Sequence, residues 1–167
     1  MVPEQPPETM EVTTPFERGL RWQRGALAGF VAAVVMAVII AVADLAILRD
    51  AIAGLYLQEG SLVAGVLAHV VHGTLFGVLF AVVLSDPALT QVGEQFSKTV
   101  AAGVVFALVL ALVGAGVVMP MWLDTVGAAT LPVPYVTGPS LVWHVVYGAV
   151  LGATFSVLDG GVPTPSG

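Results

Sequence analysis

Cysteine is absent from all 167 residues, which removes disulfides, thiolate nucleophiles and Cys-ligated zinc or iron–sulfur centres at once. Charge is scarce as well: Asp, Glu, Lys and Arg make up 10% of the chain, and Lys98 is the single lysine. Four arginines and that lysine face eleven acids, for a formal charge of −6. A basic stripe to meet phosphates is therefore missing, and nucleic acid is not an expected partner. The chain also lacks a phosphate-binding glycine loop, a zinc-protease histidine pair at i and i+4, and a serine elbow. No catalytic motif is found, and the reading is of a protein that is not an enzyme.

What remains is apolar. Hydrophobic residues fill 57% of the positions, leaving too few polar side chains to coat a soluble globule of this size. Four runs reach the roughly 20 residues that a helix needs to cross a hydrocarbon core: about Arg24 to Leu48, Ser61 to Leu84, Lys98 to Val118 and Pro139 to Leu158. They are continuous and rich in Ala, Val, Leu and Gly, unlike the short alternating strands of a membrane barrel. The expected fold is all-α, an integral membrane four-helix bundle in the lipid bilayer.

Residues Met1 to Pro15, "MVPEQPPETMEVTTP", are acidic and proline-rich with little to bury, so the N-terminal tail is expected to be disordered; residues 160–167 read the same way. The four-span domain covers 16–159. In the connection between the second and third spans, "PALTQVGEQF" has apolar residues at roughly helical spacing, which suggests a short interfacial helix. Arg18, Arg21 and Arg24 precede the first span and Lys98 opens the third, whereas only Arg49 falls on the other side. The positive-inside rule then places both termini in the cytoplasm, in a multi-pass protein of the cell membrane. Scarce lysine on an acidic chain also suits a salt-loving organism. The first span, with "AVAD" at Ala41 to Asp44, has the features of a cleavable signal peptide as an alternative.

An internal repeat speaks against cleavage. Shifted by 75 positions, "HVVHGTLFGVLFAVVL" (His69 to Leu84) lies over "HVVYGAVLGATFSVLD" (His144 to Asp159) with seven of sixteen residues identical. The first and third spans align at a similar offset, with Ala28, Gly29, Val31, Ala33, Val35 and Ala37 matched. The unit is thus a transmembrane hairpin, and its copy retains the first helix. Two spans per unit give both copies the same topology, related by a pseudo-twofold axis along the membrane normal. His69 and His144 then fall at matching depth in the outer half of the bilayer.

On a helical wheel, His69, His72, Gly73, Phe76 and Phe80 form one stripe about 100° wide, and His144, Tyr147, Gly148, Leu151 and Phe155 repeat it. The pairs Gly25 with Gly29, Gly73 with Gly77, and Gly148 with Gly152 are spaced for close helix contact. Polar groups should turn from lipid toward the bundle, so His69, His72, His144 and Tyr147 form the candidate site. One reading makes the imidazoles interhelical hydrogen-bond links, in a structural or accessory protein that forms a homo-oligomer or joins a larger complex. A second makes them a cofactor site, with haem b held between His69 and His144 as the most concrete form, or a transition metal held by His69, His72 and His144. A third is an ion or proton path that includes Asp44, although Asp44 also reads as an interfacial residue near Arg49. Trp22, Trp122, Trp143 and Tyr135 fit interface anchors.

The segments "HVVHGTLFG", "VVMPMW" and "WHVVYGAVLG" resemble a family of small four-helix membrane proteins of unknown function, common in salt-loving archaea and akin to the bacterial YagU-like inner-membrane proteins. The resemblance runs from about Arg24 to Asp159 and implies the same fold and orientation, but no reaction. Trp122 and a proline-rich stretch stand where such proteins often carry a Gly/Met-rich turn.

Overall fold

A computed structural model describes residues 15–160. The described residues form helices joined by turns and irregular connections, without a strand. The tails expected at 1–15 and 160–167 lie outside them, apart from Pro15, which opens the first helix, and Gly160. Four helices are long and apolar enough to cross a membrane: α1 (Pro15–Ala43), α2 (Leu62–Val83), α3 (Phe96–Thr125) and α4 (Gly138–Leu158). Helices are what such sequences must form in lipid, because only they satisfy every backbone group within a single segment.

Two boundaries differ from the expected spans. The first helix ends at Ala43, and the chain continues as a separate wide turn of π-helix at Ile47–Ile52. The third runs beyond Val118 to Thr125, and its middle, Leu110–Val118, is itself π-helical. Pro120 helps to explain the change. Having no N–H, it cannot bond the Gly116 carbonyl four residues back, and the Tyr135 amide donates to that oxygen instead, at 2.7 Å. This bond also holds the proline-rich connection against α3.

Ser61 and Thr137 cap α2 and α4, each accepting from the amide three residues on at 3.3 Å. That arrangement satisfies orphan donors where the chain re-enters the apolar layer. The upper end of the bundle carries the connections at 44–61 and 126–137. The lower end carries the connection at 84–95, built from a 3-10 turn at Pro87–Leu89 and a helical turn at Thr90–Gly93.

Glycines set how the helices meet. A Cβ at Gly29 would collide with the Gly73 carbonyl oxygen and the Gly77 Cα, and one at Gly77 would collide with Gly25 and Gly29. In the second hairpin a Cβ at Gly103 would meet the Gly148 oxygen and Gly152, and one at Gly152 would meet the Thr99 carbonyl. α1 packs against α2 and α4, and α3 packs against α4. α2 and α3 come together through Phe80 and Phe106, whose ring centres are 5.5 Å apart. Phe80 also stands edge-on to Phe155 at 5.6 Å. With Leu151 fully buried beside them, these rings fill the bundle below its middle.

An ion-pair cluster closes the lower end. Asp159, at the C-terminal cap of α4, accepts from Arg21 Nη2 at 2.9 Å and Nε at 3.2 Å through Oδ2, and from Arg24 Nη1 at 2.6 Å through Oδ1. Arg21 also reaches the Leu84 carbonyl at the end of α2 and lies 5.9 Å from the centre of the Phe155 ring. One side chain of α1 thereby fastens the ends of two other helices.

Candidate functional site

In the upper half, the four helices leave a cavity of about 790 Å³. Its wall includes Met36 of α1, His69, His72 and Phe76 of α2, Gly114 of α3 and Trp143, His144 and Tyr147 of α4. All four polar residues singled out from the sequence thus face one space. Glycine at 114 enlarges it, since a Cβ built there would meet nothing within 4 Å.

The three imidazoles have different surroundings. His144 Nδ1 lies 2.7 Å from the Ser140 carbonyl one turn back on its own helix. A carbonyl oxygen only accepts, so Nδ1 carries the proton and a neutral ring keeps its lone pair on Nε2. His72 Nε2 shares a 2.7 Å hydrogen bond with the Tyr56 hydroxyl. The rings of Tyr56, His72 and Phe76 follow one another along the wall, with centres 5.8 and 6.4 Å apart. His69 lines the cavity, but its Nε2 is buried in protein without a hydrogen-bond partner. The Ala33 carbonyl lies near that imidazole without closing a bond to Nε2.

The interhelical tie comes from a different residue. Tyr147 is buried and donates its hydroxyl proton to the Gly73 carbonyl at 2.7 Å, joining α4 to α2. Tyr147 therefore supplies the cross-link between α4 and α2, while the His69 imidazole of α2 faces the Ala33 backbone of α1. The six glycines expected at contacts divide by element: Gly25 and Gly29 meet Gly73 and Gly77, while Gly148 and Gly152 meet Gly103 and Thr99.

Other expectations change with the coordinates. Among the described residues no three His, Cys, Asp or Glu side chains are grouped so as to hold a metal ion, so the three-histidine metal site is not formed. Haem ligation by two imidazoles needs a free ring nitrogen on each side of the iron. His144 leaves its Nε2 free, and the Nε2 of His69 is buried without a hydrogen-bond partner. Asp44 lies exposed just beyond the end of α1, as an interfacial residue would. It accepts from the Ala46 amide at 3.2 Å, and Arg49 holds Asp50 at 2.8 Å. Trp143, expected as an interface anchor, is 91% buried and lines the cavity. Trp122 does remain half exposed, with its indole N–H on the Leu55 carbonyl at 2.9 Å.

Tyr56 and Gly114 are the residues that sequence reasoning missed. Tyr56 sits in a connection, where no helical period relates it to His72. Gly114 has no glycine partner at four-residue spacing in the bundle-facing stripe, and only the open space beside it reveals its use. Compared with known proteins, the chain matches no family model, no curated protein and no solved structure.

Proposed function

We propose that this chain is a multi-pass membrane protein that binds an apolar molecule in its upper cavity, and that it is not an enzyme. One observation carries the reading: a drug-sized, largely apolar space has three imidazoles on its wall, and neither His144 Nε2 nor His69 Nε2 is committed to a protein partner. Such concave apolar sites with a few convergent polar groups are typical of ligand binding. A histidine serving only as a helix tie would spend its polar atoms on a neighbouring helix, whereas His144 bonds back to Ser140 of its own helix and Tyr147 joins α4 to α2. Conduction across the bilayer is the weaker alternative. A path would need polar groups through the lower half, where Phe80, Phe106 and Phe155 are packed together.

Two further assignments belong to the same proposal. The chain is a duplicated hairpin with a pseudo-twofold axis along the membrane normal. Its support is the equivalence of the contacts: Gly29 against Gly73 and Gly77, and Gly103 against Gly148 and Gly152, at positions offset by 74 and 75. Arg21, Arg24 and Lys98 favour a cytoplasmic lower end. The cavity then opens toward the outside of the cell membrane, and the YagU-like resemblance of the motifs implies the same orientation.

Native mass spectrometry of protein released from mild detergent tests the central part. The expected result is one apolar molecule per chain in the unaltered protein and its loss in Gly114→Leu, which adds a side chain to the cavity wall at a position where a Cβ meets no other atom. A bare chain, or equal loading of the variant, counts against ligand binding.

A further inference from the structure

The site's hydrogen-bonding character narrows what it can hold, given the ligand-binding reading above. The Ser140 carbonyl binds the Nδ1 proton of His144, so Nε2 offers only an acceptor. An occupant that satisfies this atom in an apolar cavity must bring its own O–H or N–H, because an unmet polar group there is costly.

The wall chemistry selects among donors. Among the described residues no Lys or Arg lines the cavity, so a phosphate, sulfate or carboxylate head would find no countercharge there. Asp44 is the one carboxylate of the lining and is solvent-exposed just beyond the end of α1, so an ammonium would be drawn to the rim rather than to His144. A neutral donor is left. Along one side of the space, Tyr56, His72 and Phe76 form a row of rings, and Trp143 also contributes to the lining. Aromatic walls of this kind suit a planar ring, which packs against them by offset or edge contacts. Met36 and Met119, also in the lining, adapt their shape to an apolar tail.

We infer that the cavity holds a neutral ring-bearing lipid of the phenol or hydroquinone class, whose hydroxyl donates to His144 Nε2. The ring lies along Tyr56, His72 and Phe76, and the apolar substituent occupies the remaining space. No bond is made or broken in this step; it is recognition alone.

Calorimetric titration of the full chain in lipid nanodiscs, under argon, tests this with two probes of nearly equal shape: 2-decyl-1,4-hydroquinone and its dimethyl ether, which lacks the donor. The hydroquinone is expected to bind about five- to tenfold more tightly, the factor one hydrogen bond supplies, and His144→Leu is expected to erase that difference. Equal binding of both probes by the unaltered protein, with both weakened in Gly114→Leu, overturns the hydroxyl inference while leaving ligand binding intact. Failure of both probes to bind, or binding unaffected by Gly114→Leu, overturns the ligand-binding reading and this inference with it. The comparison on the unaltered protein decides the matter even if the His144 variant does not fold.

Discussion

The Tyr147 hydroxyl donates to the Gly73 carbonyl at 2.7 Å, across 74 residues of sequence, and pins α4 to α2 directly beside the histidine-lined cavity. A helical carbonyl normally already accepts from the amide four residues on, and it has a second lone pair to offer. Tyr147→Phe should therefore cost about 0.6–2 kcal/mol, the range for hydrogen bonds between membrane helices. Thermal unfolding in detergent checks this, with a lowered midpoint expected and an unchanged one counting against the tie.

Glycine contacts should be less forgiving. A methyl group at Gly77 would strike the backbone of Gly25 and Gly29, and one at Gly103 would strike Gly148 and Gly152. Backbone cannot swing aside as a side-chain tip can. Gly77→Ala and Gly103→Ala should each lose about 1–3 kcal/mol, the usual cost of overpacking. Gly114→Ala, with open space beside it, serves as the control and should hold or gain stability in the same melts.

At the lower end, Asp159 is shared by Arg21 and Arg24, and its side chain is only 13% exposed. Asp159→Asn leaves two guanidinium groups facing a neutral amide and should destabilise by about 1–3 kcal/mol, between the ranges for exposed and buried pairs. Arg24→Gln removes one of the contacts from a more open position, and should cost less than about 1 kcal/mol. Denaturation of both variants in matched detergent gives the comparison; a larger loss for Arg24→Gln would contradict this assignment.

Outside the spans, the Arg49 guanidinium hydrogen-bonds Asp50 and holds its carboxyl below the ordinary range. A carboxyl whose folded pKa is depressed adds stability above its unfolded pKa and loses it as pH falls through the folded value. The Asp50 signal in an NMR titration should accordingly move at lower pH than a free aspartate, and Arg49→Gln should shift it upward. An unshifted signal would show the pair to be absent in solution.

Much of this architecture was legible in the chain. Length and apolarity of the four runs mark the spans, and the 3.6-residue period puts His69, His72, His144 and Tyr147 on inward faces. Which inward group bonds which neighbour was not legible, because period fixes a face and not a partner. Tyr147 and His144 occupy the same stripe, yet one crosses to Gly73 and the other turns back on Ser140. The π-helical stretch at Leu110–Val118 was hidden too, since its extra turn width reflects Pro120 and the docking of Tyr135 from a distant connection. Asp159 reads as a plain helix end until folding brings Arg21 to it from 138 residues away.

The most direct test is an experimental structure of the full chain in lipid nanodiscs, at a resolution that shows side chains. The account predicts non-protein density between Met36, Phe76 and Trp143, with a polar end at His144 Nε2 and Gly114 facing the tail. Helices closed together with no space at that level, or His144 turned outward to lipid, would contradict it.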